Sequence, residues 1–299
     1  MTDPIWFVEN GSRNVIVRYR CLRKIYSGRS SFAKIDIVDT VEYGRMLFLD
    51  GIAQSAEQDE FIYHENLVHP PMLIHPNPRS VCVIGGAEGA TIREIAKYPQ
   101  VDRIVMLDID EALVNICREH LSSWSNGAYE DSRLELHFVD GRKFLEQTDE
   151  TFDVIIVDLN DPTEDSPAVF LFTREFYQLI FRRLSPNGIG CFQGADLQPT
   201  RLELHARMFN TLSSVFKWVV TYPYMLPSFH EMHAFILVSK EVASRTVDLG
   251  ERLRSQNLTL KYLNPSLLQS LFRVPSYVEE AYLTHQDLIT DAKPTLYES

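Results

Sequence analysis

Five acidic side chains stand where a run of alternating strands and helices would gather them. Glu88 lies in the glycine-rich turn of "VCVIGGAEGA", Asp108 closes "RIVMLD", Asp140 follows "LELHFV", and Asp158 and Asp161 end "FDVIIVDLND". Taken singly, each could be a helix cap or a solvated loop acid. Four successive apolar runs that all end in carboxylates weigh more, because ligands of an open parallel sheet collect at the carboxyl ends of its strands. A carboxylate closing the second strand, here Asp108, commonly accepts two ribose hydroxyls. An acid within the glycine turn repels phosphate, and "GGAEGA" departs from Gly-x-Gly-x-x-Gly at its third position. The pattern therefore asks for a nucleoside without pyrophosphate, with positive charge beside Glu88. S-adenosylmethionine and its relatives, which are sulfonium cations, fit that description and NAD does not.

Holding these groups together takes a βαβ frame. "SVCVIGG", "RIVMLDID", "LELHFVDG" and "FDVIIVDLNDP" are short β-branched runs, and the helically spaced "ATIREIAKY" and "EALVNICREHL" separate the first three. This rhythm predicts an α/β fold, a parallel sheet with helices on both faces. "GIGCFQG", "FKWVVTYPY" and "HAFILVSK" add strands, with "TREFYQLIFRRL" and "RLELHARMFNTLSSVF" as helices between them, giving the seven strands of a methyltransferase-like Rossmann sheet. Upstream, "VIVRYRCL", "FAKIDIVDT" and "RMLFLDG" alternate as three strands of a small antiparallel unit. A helix should start near Asp59, and Pro70 and Pro71 should disturb or end it. The expected division is an N-terminal β-strand domain over 1–57 and a Rossmann-like catalytic domain over 58–299. The C-terminal "RTVDLGERLRSQNLTLKYL" reads as a solvated helix followed by a short strand.

Composition excludes several classes. The 299 residues, 45% hydrophobic, are enough to build a sizeable core. A net charge of −12 opposes a nucleic-acid partner and suits a cationic ligand. No apolar run reaches the roughly 18 residues that span a bilayer, and "MTDPIWFVEN" lacks a signal-peptide pattern, so a cytoplasmic location without membrane contact is expected. Cys21, Cys82, Cys117 and Cys191 are scattered and read as reduced thiols, mostly buried. His64, Glu65 and His69 match no zinc-helix spacing and read as a polar helix face, so no metal is expected.

Together "LDGIAQSAEQDEFIYHENLVHPPMLIHPNP", "VIGGAEGATIREI", "MLDIDEALV", "DVIIVDLNDP" and "LFTREFYQLI" resemble the polyamine aminopropyltransferases, the spermidine synthase family, in register from near Trp6 to near Pro275. The resemblance implies transfer of an aminopropyl group from decarboxylated S-adenosylmethionine, a co-substrate rather than a cofactor, to putrescine, spermidine or agmatine, with release of methylthioadenosine. It implies that Asp108 binds the ribose, that Asp140 and Gly141 bind the adenine, and that Gly85 and Gly86 belong to the nucleoside site. Gln54, Tyr63, His64 and Glu88 would line the aminopropyl and acceptor channel, Asp158 would be the base and Asp161 a second anchor for the amine. A homodimer or homotetramer is also implied, and the exposed strands of the N-terminal unit suggest association by β-pairing. The case for Asp158 has a chemical basis of its own. An ammonium has no lone pair, so displacement at carbon needs a carboxylate that accepts the proton and holds the nitrogen in line. A sulfonium departs as a neutral thioether and needs no acid.

Departures from the family pattern bear on the acceptor. Ala33 stands where a Gln commonly touches the nucleoside, Glu88 where Asp is commoner, "DLNDP" where "DSSDP" or "DSTDP" is usual, and Phe229 where a Tyr hydrogen-bonds near the base. The Glu in the turn, the Leu after Asp158 and Phe229 resemble the thermospermine synthases and the agmatine or triamine aminopropyltransferases. Without a hydroxyl at Phe229, an acceptor longer than a short diamine is expected to be favoured, its distant cation held by Glu231, Glu164 or Asp165. Two other readings stay open: an S-adenosylmethionine-dependent methyltransferase, and a catalytically silent relative, suggested by Ala33. Against the first, "DLNDP" carries two acids spaced for a diamine where amino methyltransferases place Asn-Pro-Pro-Tyr or Asp-Pro-Pro-Tyr.

Overall fold

A computed structural model of the chain describes residues 5–9, 15–162, 167–241 and 247–296. At the N-terminal end, β1 (Ile5–Val8), β2 (Arg18–Arg29), β3 (Lys34–Thr40), β4 (Gly44–Leu49) and β5 (Ile52–Ala56) form an antiparallel sheet in chain order. Alternation reveals β2, β3 and β4 in the sequence, whereas β1 and β5, of four and five residues, are too short to display a period. The two-residue period then sorts β3 and β4. Ile35, Ile37, Leu47 and Leu49 enter the main core, and Val38, Met46 and Phe48 pack on the opposite face with Tyr19 and Ala53.

The next element, α1 (Glu60–Ile74), corrects an expectation, because it runs straight through Pro70 and Pro71. Proline at position 70 cannot donate to the carbonyl of Asn66. Tyr222 Oη donates to that carbonyl instead, at 2.7 Å, so the acceptor that Pro70 leaves is satisfied. Nor does α1 present a polar face. His64, Glu65 and His69 are all buried, and each has its partners inside the protein. The Glu65 carboxylate accepts the backbone N–H groups of Lys261, Tyr262 and Leu263 at 2.7–2.9 Å. This explains a second correction: the strand expected after the C-terminal helix is absent, since Glu65 takes the donors that a sheet ladder would have used.

The larger sheet comprises β6 (Ser80–Gly85), β7 (Arg103–Asp108), β8 (Leu134–Phe138), β9 (Phe152–Asp158), β10 (Leu184–Asp196), β11 (Trp218–Leu226) and β12 (Glu231–Ser239). Its order is β11-β12-β10-β9-β6-β7-β8. The strands from β6 to β10 pair in parallel, and β12 lies antiparallel to β10 and β11. Alternate residues feed two cores: Val81, Val83, Ile104 and Ile156 on one face, Cys82, Ile84, Val105 and Ile155 on the other. Covering both faces makes these strands read as continuous apolar runs. The helices that bear on the site are α2 (Ala90–Ala96), α3 (Glu111–His120), α4 (Ser122–Ser125) and α5 (Gly141–Gln147).

Candidate active site

Strand order reverses between β6 and β9, from which the sheet grows in opposite directions. The carboxyl ends of these two strands therefore bound a crevice where a ligand can enter. Gly85 pairs there with Asp158. Its φ is +87°, and a Cβ at this position would lie 2.1 Å from the Asp158 carbonyl oxygen, so only glycine permits the turn. A cavity of about 400 Å³ opens over this point. Its walls include all five acids read from the sequence, together with Gly85, Gly86, Gly141, Gln54, Tyr63, Phe229 and Glu231. Ala33 lies in the same wall, buried, with no side chain that could reach a ligand polar group.

At one end, Asp108 closes β7 and is 7% exposed. Burial pushes its carboxyl up to about 7, against a 2.8 Å hydrogen bond from the Asp110 N–H, and the charges of Asp110, Glu88 and Asp158 add to the rise. Asp110 in turn caps α3 by accepting from Leu113 N–H, and Ser30 Oγ donates to it from the N-terminal unit. Asp140 is the N-cap of α5: its Oδ1 accepts the N–H groups of Arg142 (2.9 Å) and Lys143 (3.3 Å). The cap interaction and a place in the cavity wall thus coexist at Asp140.

At the centre, Asp158 is held by two hydroxyls. Tyr63 Oη donates to Oδ1 at 2.6 Å and Thr91 Oγ1 to Oδ2 at 2.7 Å. Burial raises its carboxyl above the usual range, the Glu88 charge raises it further, and these two bonds oppose the rise. Glu88 is itself anchored from behind. His64 Nε2 lies 3.4 Å from Glu88, His64 Nδ1 lies 2.8 Å from Glu60, and Arg93 donates to both Glu60 oxygens at 3.0 and 2.9 Å. Burial opposes charge on His64, but Glu60 and Glu88 outweigh it and lift the imidazole to about 10. The four groups make an alternating row of charge that ends on Glu88. His64 therefore stands behind Glu88, one layer back from the cavity wall, rather than lining the channel itself.

This row has a testable consequence for stability. His64→Leu should destabilise the fold by about 2 kcal/mol, below the usual 3–5 for a broken buried pair because Arg93 still holds Glu60. The folded pKa is raised above the unfolded value of 6.5, so the contribution is complete below pH 6.5 and disappears only as pH rises through about 10. Urea unfolding of the wild type and H64L at pH 6 and pH 10 checks it: the gap between them should narrow at the higher pH.

The far end is more heavily charged than the sequence suggested. Asp161 accepts from Gln193 Nε2 at 3.0 Å, and burial pushes its carboxyl up to about 6. Tyr224 lies between the fields of Asp158 and Asp161, with its ring stacked on Phe235 and 5.9 Å from the His233 ring. Phe229 meets His233 edge to face. Glu231, expected to be available to a ligand cation, is instead ion-paired with Arg201, which also lies 3.7 Å from Asp196. Glu164 and Asp165, named with it, lie outside the described residues. Glu9 enters the wall from just past β1, where its carboxylate accepts Tyr19 Oη and the Ala53 N–H.

Several side chains of this site were not among the sequence expectations: Glu9, Glu60, Thr91, Arg93, Gln193, Arg201, Tyr224 and His233. Thr91 had a signal, as the first polar residue of the helix after the glycine turn. Asp196 had one too, since it ends β10 just as the expected acids end their strands, with Gln193 in the residues leading to it.

The spermine/spermidine synthase domain matches residues 60–249, and the spermidine synthase tetramerisation domain matches residues 5–57. A polyamine aminopropyltransferase of Pseudomonas aeruginosa is 46% identical over 85% of this chain and 74% of its own length. The thermospermine synthase of Arabidopsis thaliana is 37% identical over 94% of this chain and 81% of its own. Among solved structures, a spermidine synthase in complex with the transition state analogue AdoDATO superposes with a TM-score of 0.89 at 31% identity, covering 95% of this chain and 98% of that one. The spermidine synthase of Thermotoga maritima gives 0.87, also at 31% identity, over 95% and 97% of the two chains.

Proposed function

We propose, from the premise that this chain belongs to the spermine/spermidine synthase family and is an aminopropyltransferase, that its donor is decarboxylated S-adenosylmethionine and that its cavity divides into a nucleoside end, a transfer point and an amine end. The observation that supports this most is the row of carboxylates Glu88, Asp158 and Asp161 along one cavity whose other end carries Asp108 and Asp140. In this reading Asp108 takes the ribose hydroxyls, Asp140 and Gly141 face the adenine, and Gly85 and Gly86 let the turn lie close to the donor. Glu88, fixed by His64, holds the ammonium of the aminopropyl arm. Gln54 and Tyr63 border the arm, while Phe229 and Glu231 belong to the acceptor end.

The chemistry follows from those positions. An acceptor ammonium gives its proton to Asp158, and the freed nitrogen lone pair attacks the aminopropyl carbon next to sulfur. The new N–C bond forms as the C–S bond breaks, and its electron pair returns to sulfur as a neutral thioether. Tyr63 and Thr91 keep the Asp158 carboxylate aimed, and Asp161 holds a second ammonium so that the attacking nitrogen stays in line.

The same proposal assigns 1–57 to an association domain and 58–299 to the catalytic domain, with the chain a homo-oligomer. Ile5, Trp6 and Val8, exposed on the edge strand β1, suit burial against another copy. No helix among the described residues is long and apolar enough to cross a membrane, and a cytoplasmic location is part of the proposal.

Incubating the protein with decarboxylated S-adenosylmethionine and an amine should release methylthioadenosine in step with an amine product heavier by one aminopropyl group. A methylated amine formed from S-adenosylmethionine would favour the methyltransferase reading. Absence of product with either donor would favour the silent one.

A further inference from the structure

Among the described residues, the acceptor end holds one positively charged side chain, Arg201, at a place where a polyamine-binding channel has reason to hold none. Besides Asp158 at the transfer point, the walls carry Asp161 with Gln193, Glu231 ion-paired with the Arg201 guanidinium, and Glu9, while Asp196, buried outside the wall, lies 3.7 Å from Arg201. The first two acids are held by neutral donors, Tyr63 and Thr91 on Asp158 and Gln193 on Asp161. Glu231 and Asp196 already have a cation, delivered by the chain itself. Arg201 lines the cavity, so its charge faces whatever occupies the channel.

From this arrangement we propose that Arg201 is a specificity-determining residue that sets acceptor length, standing in for the third cation of a longer polyamine. The proposal rests on the reading of the cavity as an aminopropyl-transfer site and makes it more specific. A short diamine places one nitrogen at Asp158 and the other at Asp161, and stops there. A triamine must push a further positive charge toward Glu231, where it meets Arg201 head-on, and an amine ending in a guanidinium, which adds no charge, carries its second cation on a longer and bulkier group that reaches toward the same place. Like charges brought together in a partly shielded site are penalised far more than in water. Burial is the main reason the Asp161 carboxyl is raised; Asp196 and Glu231 add to the rise and Arg201 opposes it. The inference runs against the preference for long acceptors expected from Phe229, for which Glu231, here paired with Arg201, was one of three cation partners named with Glu164 and Asp165.

Steady-state kinetics with putrescine, agmatine and spermidine, at saturating decarboxylated S-adenosylmethionine, tests it. The wild type should favour putrescine over spermidine by about tenfold in kcat/KM. R201Q should raise the spermidine-to-putrescine ratio at least tenfold, mainly by lowering the KM for spermidine, with agmatine moving the same way. R201K, which keeps the charge, should retain the wild-type order, and the KM for the donor should stay unchanged throughout. If R201Q does not fold, R201M combined with E231Q removes one charge of each sign, and its ratio should rise at least threefold. A wild type that favours spermidine, or a ratio that stays within twofold in the charge-removing variants, overturns the role of Arg201 and leaves aminopropyl transfer standing. Failure of the wild type to release methylthioadenosine with any amine overturns the underlying reading and this one together.

Discussion

Replacing Asp158 with asparagine should lower kcat by about 10³-fold while leaving methylthioadenosine affinity within about twofold. The side chain keeps its shape, and both hydroxyls that hold it can adapt: one still donates to the amide oxygen, and the other turns to accept from the amide nitrogen. What disappears is the capacity to accept a proton and the charge that draws an ammonium to the transfer point. Burial and Glu88 raise the Asp158 carboxyl, so in the wild type kcat/KM should fall as pH drops and the base becomes protonated, whereas the residual activity of D158N should lose that limb. Stopped-flow or quenched assays of methylthioadenosine formation, with calorimetry for nucleoside binding, separate the two effects. Turnover within about tenfold of wild type would remove Asp158 from the role of base.

The sequence revealed much of this site because its acids follow a rule of topology. Asp108, Asp140, Asp158 and Asp161 each end an apolar run, and in a parallel sheet the ends of such runs converge whatever the loops do. Glu88 was legible for a related reason, as a charge inside a turn that otherwise needs glycine. The groups that escaped are those fixed by tertiary partners. Nothing local announces that Pro70 is tolerated in α1, because the group that relieves it, Tyr222, lies 156 residues along the chain from Asn66, whose carbonyl it satisfies. The role of His64 was half read: its proximity to the channel was expected, but not its position behind Glu88 between two carboxylates, which depends on Glu60 and on Arg93 from α2. Glu231 was assigned to a ligand because its partner Arg201 sits on a different segment, and ion pairing across segments leaves no periodic trace. Pattern thus locates the floor of the site, while the electrostatic balance at its far end is set by contacts that only the folded chain displays.

Asp108→Ala should weaken methylthioadenosine binding by about 3 kcal/mol, roughly 150-fold, if the side chain accepts two ribose hydroxyls at about 1.5 kcal/mol for each charge-assisted bond. The pH dependence of the same equilibrium is the sharper test. In the free protein, burial and the acids around it raise this carboxyl from 3.8 to about 7, so near neutrality it is only partly ionised. Ionising it in the empty pocket therefore works against folding, and this penalty grows as pH rises from about 4 to about 7. A ribose binds the ionised form and lowers its pKa, and binding offsets the penalty. The sign follows: affinity for methylthioadenosine should be flat above pH 8 and fall as pH drops below 7, by up to about tenfold per unit until the bound-state pKa is reached. Methylthioadenosine carries no ammonium, so the acceptor acids contribute little to this slope. Titration calorimetry from pH 5 to pH 8.5 on the wild type and D108N decides the matter. The wild type should show the slope and D108N should bind weakly with almost none. Parallel pH profiles in the two proteins would mean that Asp108 does not hold the ribose, and the donor would have to be turned end for end in the cavity.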